Sequence, residues 1–254
     1  MLDALLRFLV PPRCLACGAA ARDALCAACR AGLPWLRDAC PRCALPRPCA
    51  PCPALRQRFA AAWAPVEYEG PARALVHALK FRAHLAAADV MAAQMAAALA
   101  RAGPLDGARP LDGARSLDSA RSLDGARSLD GPRSLARPAP LVPVPAAPAR
   151  LRQRGFDPAD LLARRLSRRT GRPVVAYLRR EDDGRQLGSA RAERLRAGGV
   201  VAGTRKLERA PPVALLVDDV HTTGATLDAC ARALASVGTR TVFAVTYART
   251  IRRA

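Results

Sequence analysis

The stretch Val213-Ala214-Leu215-Leu216-Val217-Asp218-Asp219-Val220-His221-Thr222-Thr223-Gly224-Ala225-Thr226 decides how this chain is read. An apolar run of strand length ends at two adjacent acids. A short Thr/Gly turn follows and opens directly into a helix predicted over 226–237. Backbone N–H groups of such a turn, together with a helix N-terminus, attract an anion. The hydroxyls of Thr222, Thr223 and Thr226 add neutral donors, and Gly224 lets the backbone come close to a bound group. Asp218 and Asp219 can accept hydrogen bonds from vicinal hydroxyls. Together these features suit a ribose phosphate. A nucleotide-binding loop of the Gly-Lys-Ser/Thr kind would need a lysine that this turn lacks. His221 is read as a tolerated loop side chain rather than a catalytic group. Cys230, in the following helix, is read as a small buried residue.

Outward from this stretch, residues 139–254 alternate between strand and helix. Apolar runs fall at 141–144, 174–178, 213–217 and 242–247. Between them lie helical stretches near 157–168, 189–197 and 226–237. Asp157-Pro158 starts the first of these, with Asp as cap and Pro at the first helical position. Upstream, Trp63, Val66 and Tyr68 alternate as a strand would. Pro71 opens a helix with Ala72, Leu75, Val76 and Leu79 on one face, and a second, Ala-rich helix covers 85–100. The expected fold class is α/β: a parallel sheet flanked by helices on both faces, with the ligand at the carboxyl ends of the strands.

Eight of the nine cysteines lie in residues 1–59, as four C-x-x-C pairs: Cys14/Cys17, Cys26/Cys29, Cys40/Cys43 and Cys49/Cys52. Each spacing forms a knuckle whose two thiolates converge on one metal. Eight thiolates are enough for two tetrahedral four-cysteine sites, so two structural Zn2+ ions are expected; an iron–sulfur cluster or a redox role is the alternative. Pairing can be sequential (14/17 with 26/29, 40/43 with 49/52) or crossed. The short connecting loops favour the sequential form.

Residues 104–137 repeat every six positions on the frame Leu-Asp-Gly-Ala-Arg-Ser, with Leu105, Leu111, Leu117, Leu123, Leu129 and Leu135 in register. One apolar residue in six cannot build a core. The segment reads as a flexible, dispensable low-complexity insertion.

The formal net charge is +20. It remains strongly positive when eight thiolates and two Zn2+ are counted. Polyanions are natural partners of such a chain: nucleic acid, nucleotides, phosphorylated metabolites. Lys80 and Lys206 are the only lysines among 41 basic residues, a bias that suits a GC-rich genome as well as guanidinium chemistry. No membrane span is expected. The apolar segment 1–10 is about half the length a spanning helix needs and lacks a basic n-region and a cleavage site. A cytoplasmic location follows as the expectation, and there paired cysteines favour metal over disulfides.

The order of motifs resembles one family. A double zinc ribbon precedes Tyr68-Glu69-Gly70…Arg73…Leu79-Lys80-Phe81, then Val142-Pro143-Val144-Pro145…Arg150…Arg154-Gly155-Phe156, then the loop 216–226. This arrangement resembles the ComF family of competence proteins, and the loop resembles that of type I phosphoribosyltransferases, which bind 5-phosphoribosyl-1-pyrophosphate (PRPP). The resemblance spans nearly the whole chain except 104–137. It implies a double zinc ribbon over 1–59 and a phosphoribosyltransferase-like domain over 60–254, interrupted at 104–137. It further implies that Asp218 and Asp219 hold the ribose hydroxyls with Mg2+ bridging PRPP. Thr222, Thr223, Gly224, Ala225 and Thr226 would cradle the 5′-phosphate, with Arg150 and Arg154 near the pyrophosphate.

Arg185, Gln186, Arg191, Glu193 and Arg194 resemble the family's mobile polar segment. Two positions depart from the pattern. Asp157-Pro158 replaces Asn-Gln, which puts a negative charge near an anionic ligand, and Ala197 stands where the family carries Asn. The implied function is DNA uptake, with PRPP, single-stranded DNA and other DNA-uptake proteins as partners. The alternatives are an active transferase of nucleotide synthesis or salvage, and a PRPP sensor without catalysis.

Overall fold

In the computed structural model, residues 13–103, 138–180, 202–204 and 210–252 are described. The repeat 104–137, the helix expected near 189–197 and the polar positions Arg185, Gln186, Arg191, Glu193, Arg194 and Ala197 lie outside them.

The first described residues form two pairs of cysteine knuckles, which contain one short helix, α1 (Ala27–Ala31), and end in a 3-10 turn, Pro53–Arg56. The sheet then opens with β1 (Ala61–Trp63) and β2 (Val66–Glu67). The alternation of Trp63, Val66 and Tyr68 is therefore not one strand. Ala64-Pro65 interrupts it, and Pro65 gives its carbonyl to Leu36 of the ribbon instead of to a ladder.

Two helices follow, α2 (Gly70–Arg82) and α3 (Leu85–Ala102). The predicted stripe on α2 is the buried one, with Ala72, Leu75, Val76 and Leu79 inaccessible to solvent. Helix α3 is long and apolar enough to cross a bilayer by length and composition. Here it is a core helix. Ala88, Met91, Ala92 and Met95 are fully buried, and Asp89 on its outer side pairs with Arg165 at 2.9 Å.

The sheet continues with β3 (Leu141–Pro143), followed by α4 (Pro148–Arg154) and α5 (Pro158–Thr170). Asp157 caps α5 by accepting from the Ala159 N–H at 2.9 Å. Helix α4 adds to the predicted elements. It has no buried residue, so no apolar period announces it. Next comes β4 (Leu178–Arg180), which pairs with β5 (Ala202–Thr204) in a separate antiparallel ribbon. The apolar run 174–178 is thus not a strand of the main sheet. Only Val174 bridges to Leu141, and the chain then turns, with Tyr177 N–H bonded to the Val175 carbonyl.

The last elements are β6 (Val213–His221), α6 (Ala225–Ser236) and β7 (Thr241–Arg249). The order is β1-β7-β6-β3, with β2 also on β7, and every pairing is parallel. All carboxyl ends therefore lie along one edge.

Strand β6 shows why the sheet is covered on both faces. Leu215 and Val217 join a core with α2, α3 and α5. Ala214 and Leu216, one residue out of phase, join the core on the other side with α6. The ribbon divides in the same way. Cys14, Leu25 and Leu33 of its first half pack on the first face, and Cys43, Ala54 and Phe59 of its second half pack on the other. Backbone bonds from Glu67 N–H to the Pro34 carbonyl (2.8 Å) and from Ala62 N–H to the Pro41 carbonyl (3.2 Å) fix it along β1 and β2. A sheet edge that would otherwise expose unpaired N–H and C=O groups is covered.

Candidate functional site

Two kinds of site are formed. The first is a pair of four-sulfur centres. Cys14, Cys17, Cys26 and Cys29 form one group and Cys40, Cys43, Cys49 and Cys52 the other, the sulfurs of each lying within 4.8 Å of one another. The pairing is sequential. A tetrahedral zinc with Zn–S of about 2.3 Å requires sulfurs about 3.8 Å apart. Cys17 and Cys26 Sγ are 3.8 Å apart, and Cys43 and Cys49 Sγ are 3.7 Å apart.

Electrostatics agree with a metal. Burial raises the Cys14 thiol, but backbone donors at Cys26, Cys17 and Ala16 outweigh it and bring it down to about 6. Burial and the neighbouring sulfurs push Cys29 up to about 12. In the second centre Cys40 falls to about 7, its backbone donors outweighing burial, while burial first of all pushes Cys43 up. Four thiolates cannot coexist this closely without a cation between them, and a divalent ion removes the conflict. Both centres are structural zinc sites: each has four thiolate ligands, which leaves no open coordination position.

The knuckles also differ. Gly18 takes the left-handed backbone that ends the first (φ 76°), whereas the equivalent turn after Cys43 uses Ala44 at φ 57°.

The second site is a cleft of about 420 Å³ at the carboxyl ends of β3 and β6. Asp218, Asp219, Thr222 and Thr226 reach it from the β6 side. Arg150, Arg154 and Asp157 come from the opposite wall, Lys80 from α2 and Arg180 from β4. Thr223, Gly224 and Ala225 complete the turn without lining the cleft. Strand β6 continues through both acids to His221, so the acids sit on ladder backbone and not on a loop. Asp219 is 5% exposed, and its Oδ2 lies 2.5 Å from Lys80 Nζ. Asp218 accepts from the Asp219 N–H at 2.8 Å. Burial and the Asp219 charge hold the Asp218 carboxyl well above the usual carboxylate range, with Lys80 opposing.

On the other wall, the guanidinium of Arg154 lies 5.2 Å over the exposed Phe81 ring, and its Nε is buried with no hydrogen-bond partner among the described residues. Asp157 is occupied: Oδ1 caps α5 and Oδ2 accepts from the Ala146 N–H at 2.9 Å. Burial raises its carboxyl above the ordinary value. Both oxygens are thus bonded to backbone, which softens the expected conflict with an anion.

The loop is supported from behind. Gly224 has φ 86°, and a Cβ there would meet Gln57 Nε2 at 2.6 Å and His221 Nε2 at 2.9 Å, so glycine is required twice over. Gln57 Nε2 donates to the Thr223 carbonyl at 2.9 Å. His221 is not a loop side chain. It is 2% exposed, stands edge-on to Phe59 at 5.9 Å, and is pushed down to about 3 by burial and by Arg249. It is therefore a neutral packing group behind the turn. Cys230 is fully buried, in line with the sequence reading.

Sequence reasoning gives no site role to Lys80, Arg180, Gln57 or Arg249. Of these only Lys80 carries a signal, being one of two lysines in an arginine-rich chain.

Residues 5–58 match the family model of the double zinc ribbon domain. The chain is also 35% identical over 98 residues to the competence protein ComFC of Bacillus subtilis (strain 168). Over that part of its length the chain is similar to a competence protein. The similarity to ComFC covers 39% of this chain and 39% of that protein. In this chain the matched ribbon carries all eight paired cysteines, and both of its four-sulfur groups are assembled.

Proposed function

We propose that this protein is a member of the ComF family, binds PRPP with Mg2+ in the cleft and acts in DNA uptake during natural transformation, handling single-stranded DNA. The observation that carries the reading is the opposition of charges across one cleft. Asp218 and Asp219 stand at the end of β6, beside a Thr/Gly turn at the start of α6. Lys80, Arg150, Arg154 and Arg180 stand around them. Carboxylates suit vicinal hydroxyls and a bridging divalent cation. The turn amides and the helix N-terminus suit a 5′-phosphate, and the arginines suit a pyrophosphate, which guanidinium groups bind in bidentate fashion. The unpartnered Nε of Arg154 supports a site built for an anion.

Bound Mg2+ would neutralise part of the diphosphate charge. Asp218 and Asp219 would orient the ribose, and Lys80 would hold Asp219 in place through their ion pair. The likeness to ComFC supports the DNA-uptake role. The charge of +20 supports nucleic-acid binding through phosphates, since only 4% of residues are aromatic and stacking surfaces are few.

Two measurements test this reading together. PRPP turnover against a panel of nitrogen nucleophiles should show no pyrophosphate release above background. Steady release with one acceptor would favour an active transferase. Single-stranded DNA should compete better than duplex at equal phosphate concentration and remain bound near physiological salt. Loss of binding at that salt would favour a PRPP sensor.

A further inference from the structure

Arg249, the last residue of β7, is 4% exposed. A buried guanidinium is costly unless its donors are used, and here they join two separate parts of the molecule. Nε donates to the carbonyl of Cys43, a ligand of the second zinc centre, at 2.9 Å. Nη1 donates to the carbonyls of His221 (2.8 Å) and Thr250 (2.9 Å), and also to that of Thr222. The end of β6 and the first position of the phosphate turn are therefore hung on the same side chain as the second knuckle.

The three residues that leave the ribbon reinforce this link. Gln57 donates to the Thr223 carbonyl, the Arg58 N–H donates to Asp228 Oδ1 at 2.5 Å, and Phe59 packs on His221. Gln57 lies five residues after the zinc ligand Cys52. Among the described residues no hydrogen bond runs from the first knuckle pair, 13–32, to residues 221–228.

The carbonyls of 221–223 all accept from these donors, which fixes the planes of the three peptides that begin the turn. An anion-binding turn works only if its amides are fixed before the ligand arrives. Zinc removal would free the Cys43 backbone, because a four-cysteine segment this short is held together by its metal.

We propose that Arg249 is a positioning residue through which the second zinc centre, and not the first, fixes the phosphate turn 222–226. The consequence for PRPP affinity rests on the function proposed above; the consequence for the order of the turn does not.

The test uses the full chain with two readouts. Amide hydrogen exchange at residues 222–226 is compared among the parent, Cys17→Ser, Cys52→Ser, Arg249→Gln, Arg249→Lys and Gln57→Ala. PRPP·Mg2+ affinity is measured on the same proteins. Cys52→Ser and Arg249→Gln should speed exchange of the turn by roughly tenfold or more, the change that loss of one charged hydrogen bond gives. Arg249→Lys should fall between them and the parent, since lysine keeps the charge but not the fork. Gln57→Ala, which touches no zinc ligand and no core position, should give a smaller increase in the same segment. It keeps the proposal testable if a buried variant fails to fold. Cys17→Ser should leave exchange at 222–226 unchanged while losing one zinc. Equal protection of the turn in Cys52→Ser and Cys17→Ser, or parent-like exchange in Gln57→Ala and Arg249→Gln, would overturn the proposal. Faster exchange in a chain that binds no PRPP would uphold the link and refute the ligand.

Discussion

Lys80 Nζ and Asp219 Oδ2 lie 2.5 Å apart at the base of the cleft, with Asp219 almost fully buried. The pair joins α2 to β6, two elements 139 positions apart in the chain. Removing one partner of such a pair leaves the other charge without compensation. Lys80→Met should therefore lower stability by roughly 2 kcal/mol, less than for a fully enclosed pair because Lys80 still reaches solvent. Urea unfolding of the two proteins at neutral pH checks this value. An unchanged midpoint would show that the pair is not a stabilising contact.

Asp218 should behave in the opposite way. Its carboxyl is raised by burial and by the Asp219 charge. A group that holds its proton more tightly in the folded state gives stability that is present at low pH and lost as pH rises through its native value. Above the ordinary carboxyl range of pH, Asp218 therefore costs stability. Asp218→Asn should raise the Tm of the ligand-free protein at pH 7.5, with the gain shrinking toward pH 4. A lower Tm at pH 7.5 would mean that the carboxylate is compensated in the free protein.

The metal content follows from the geometry of the two sulfur groups. The purified chain should carry two zinc ions. Cys14→Ser and Cys52→Ser should each reduce the content to one and disorder their own half of the ribbon, leaving the parallel sheet folded. Elemental analysis under reducing conditions checks the count. Iron in place of zinc would contradict the assignment.

Much of this is legible in the sequence, for reasons specific to each element. The stripe Ala72, Leu75, Val76, Leu79 has one period and one buried face. The acid pair and turn of 218–226 carry their chemistry in a continuous stretch. The four C-x-x-C spacings fix which sulfurs converge locally, but which knuckle meets which is a tertiary fact that spacing only favours. Helix α4 is hidden from a periodicity reading because it buries nothing. His221 looks like a loop residue in sequence because its packing role comes from Phe59, Gln57 and Arg249, each distant along the chain. Arg249 itself is one arginine among many, and its role depends on carbonyls at Cys43, His221 and Thr222 that no pattern marks.

The six-residue repeat gives a separate prediction. With one leucine in six it cannot bury a core, and it falls between the end of α3 and the start of β3. Deleting 104–137 should leave the Tm and the zinc content within error of the parent. An insoluble product beside a soluble parent would show that the repeat packs.

The most direct measurement is calorimetric titration of PRPP with Mg2+ into the zinc-loaded chain, run beside the double variant Asp218→Asn, Asp219→Asn with its zinc content verified. Saturable one-to-one binding to the parent is expected, with a loss of roughly a hundredfold or more in the variant, since charge-assisted bonds to the ribose and metal are removed. No binding by the parent, or equal affinity in the variant, would contradict it.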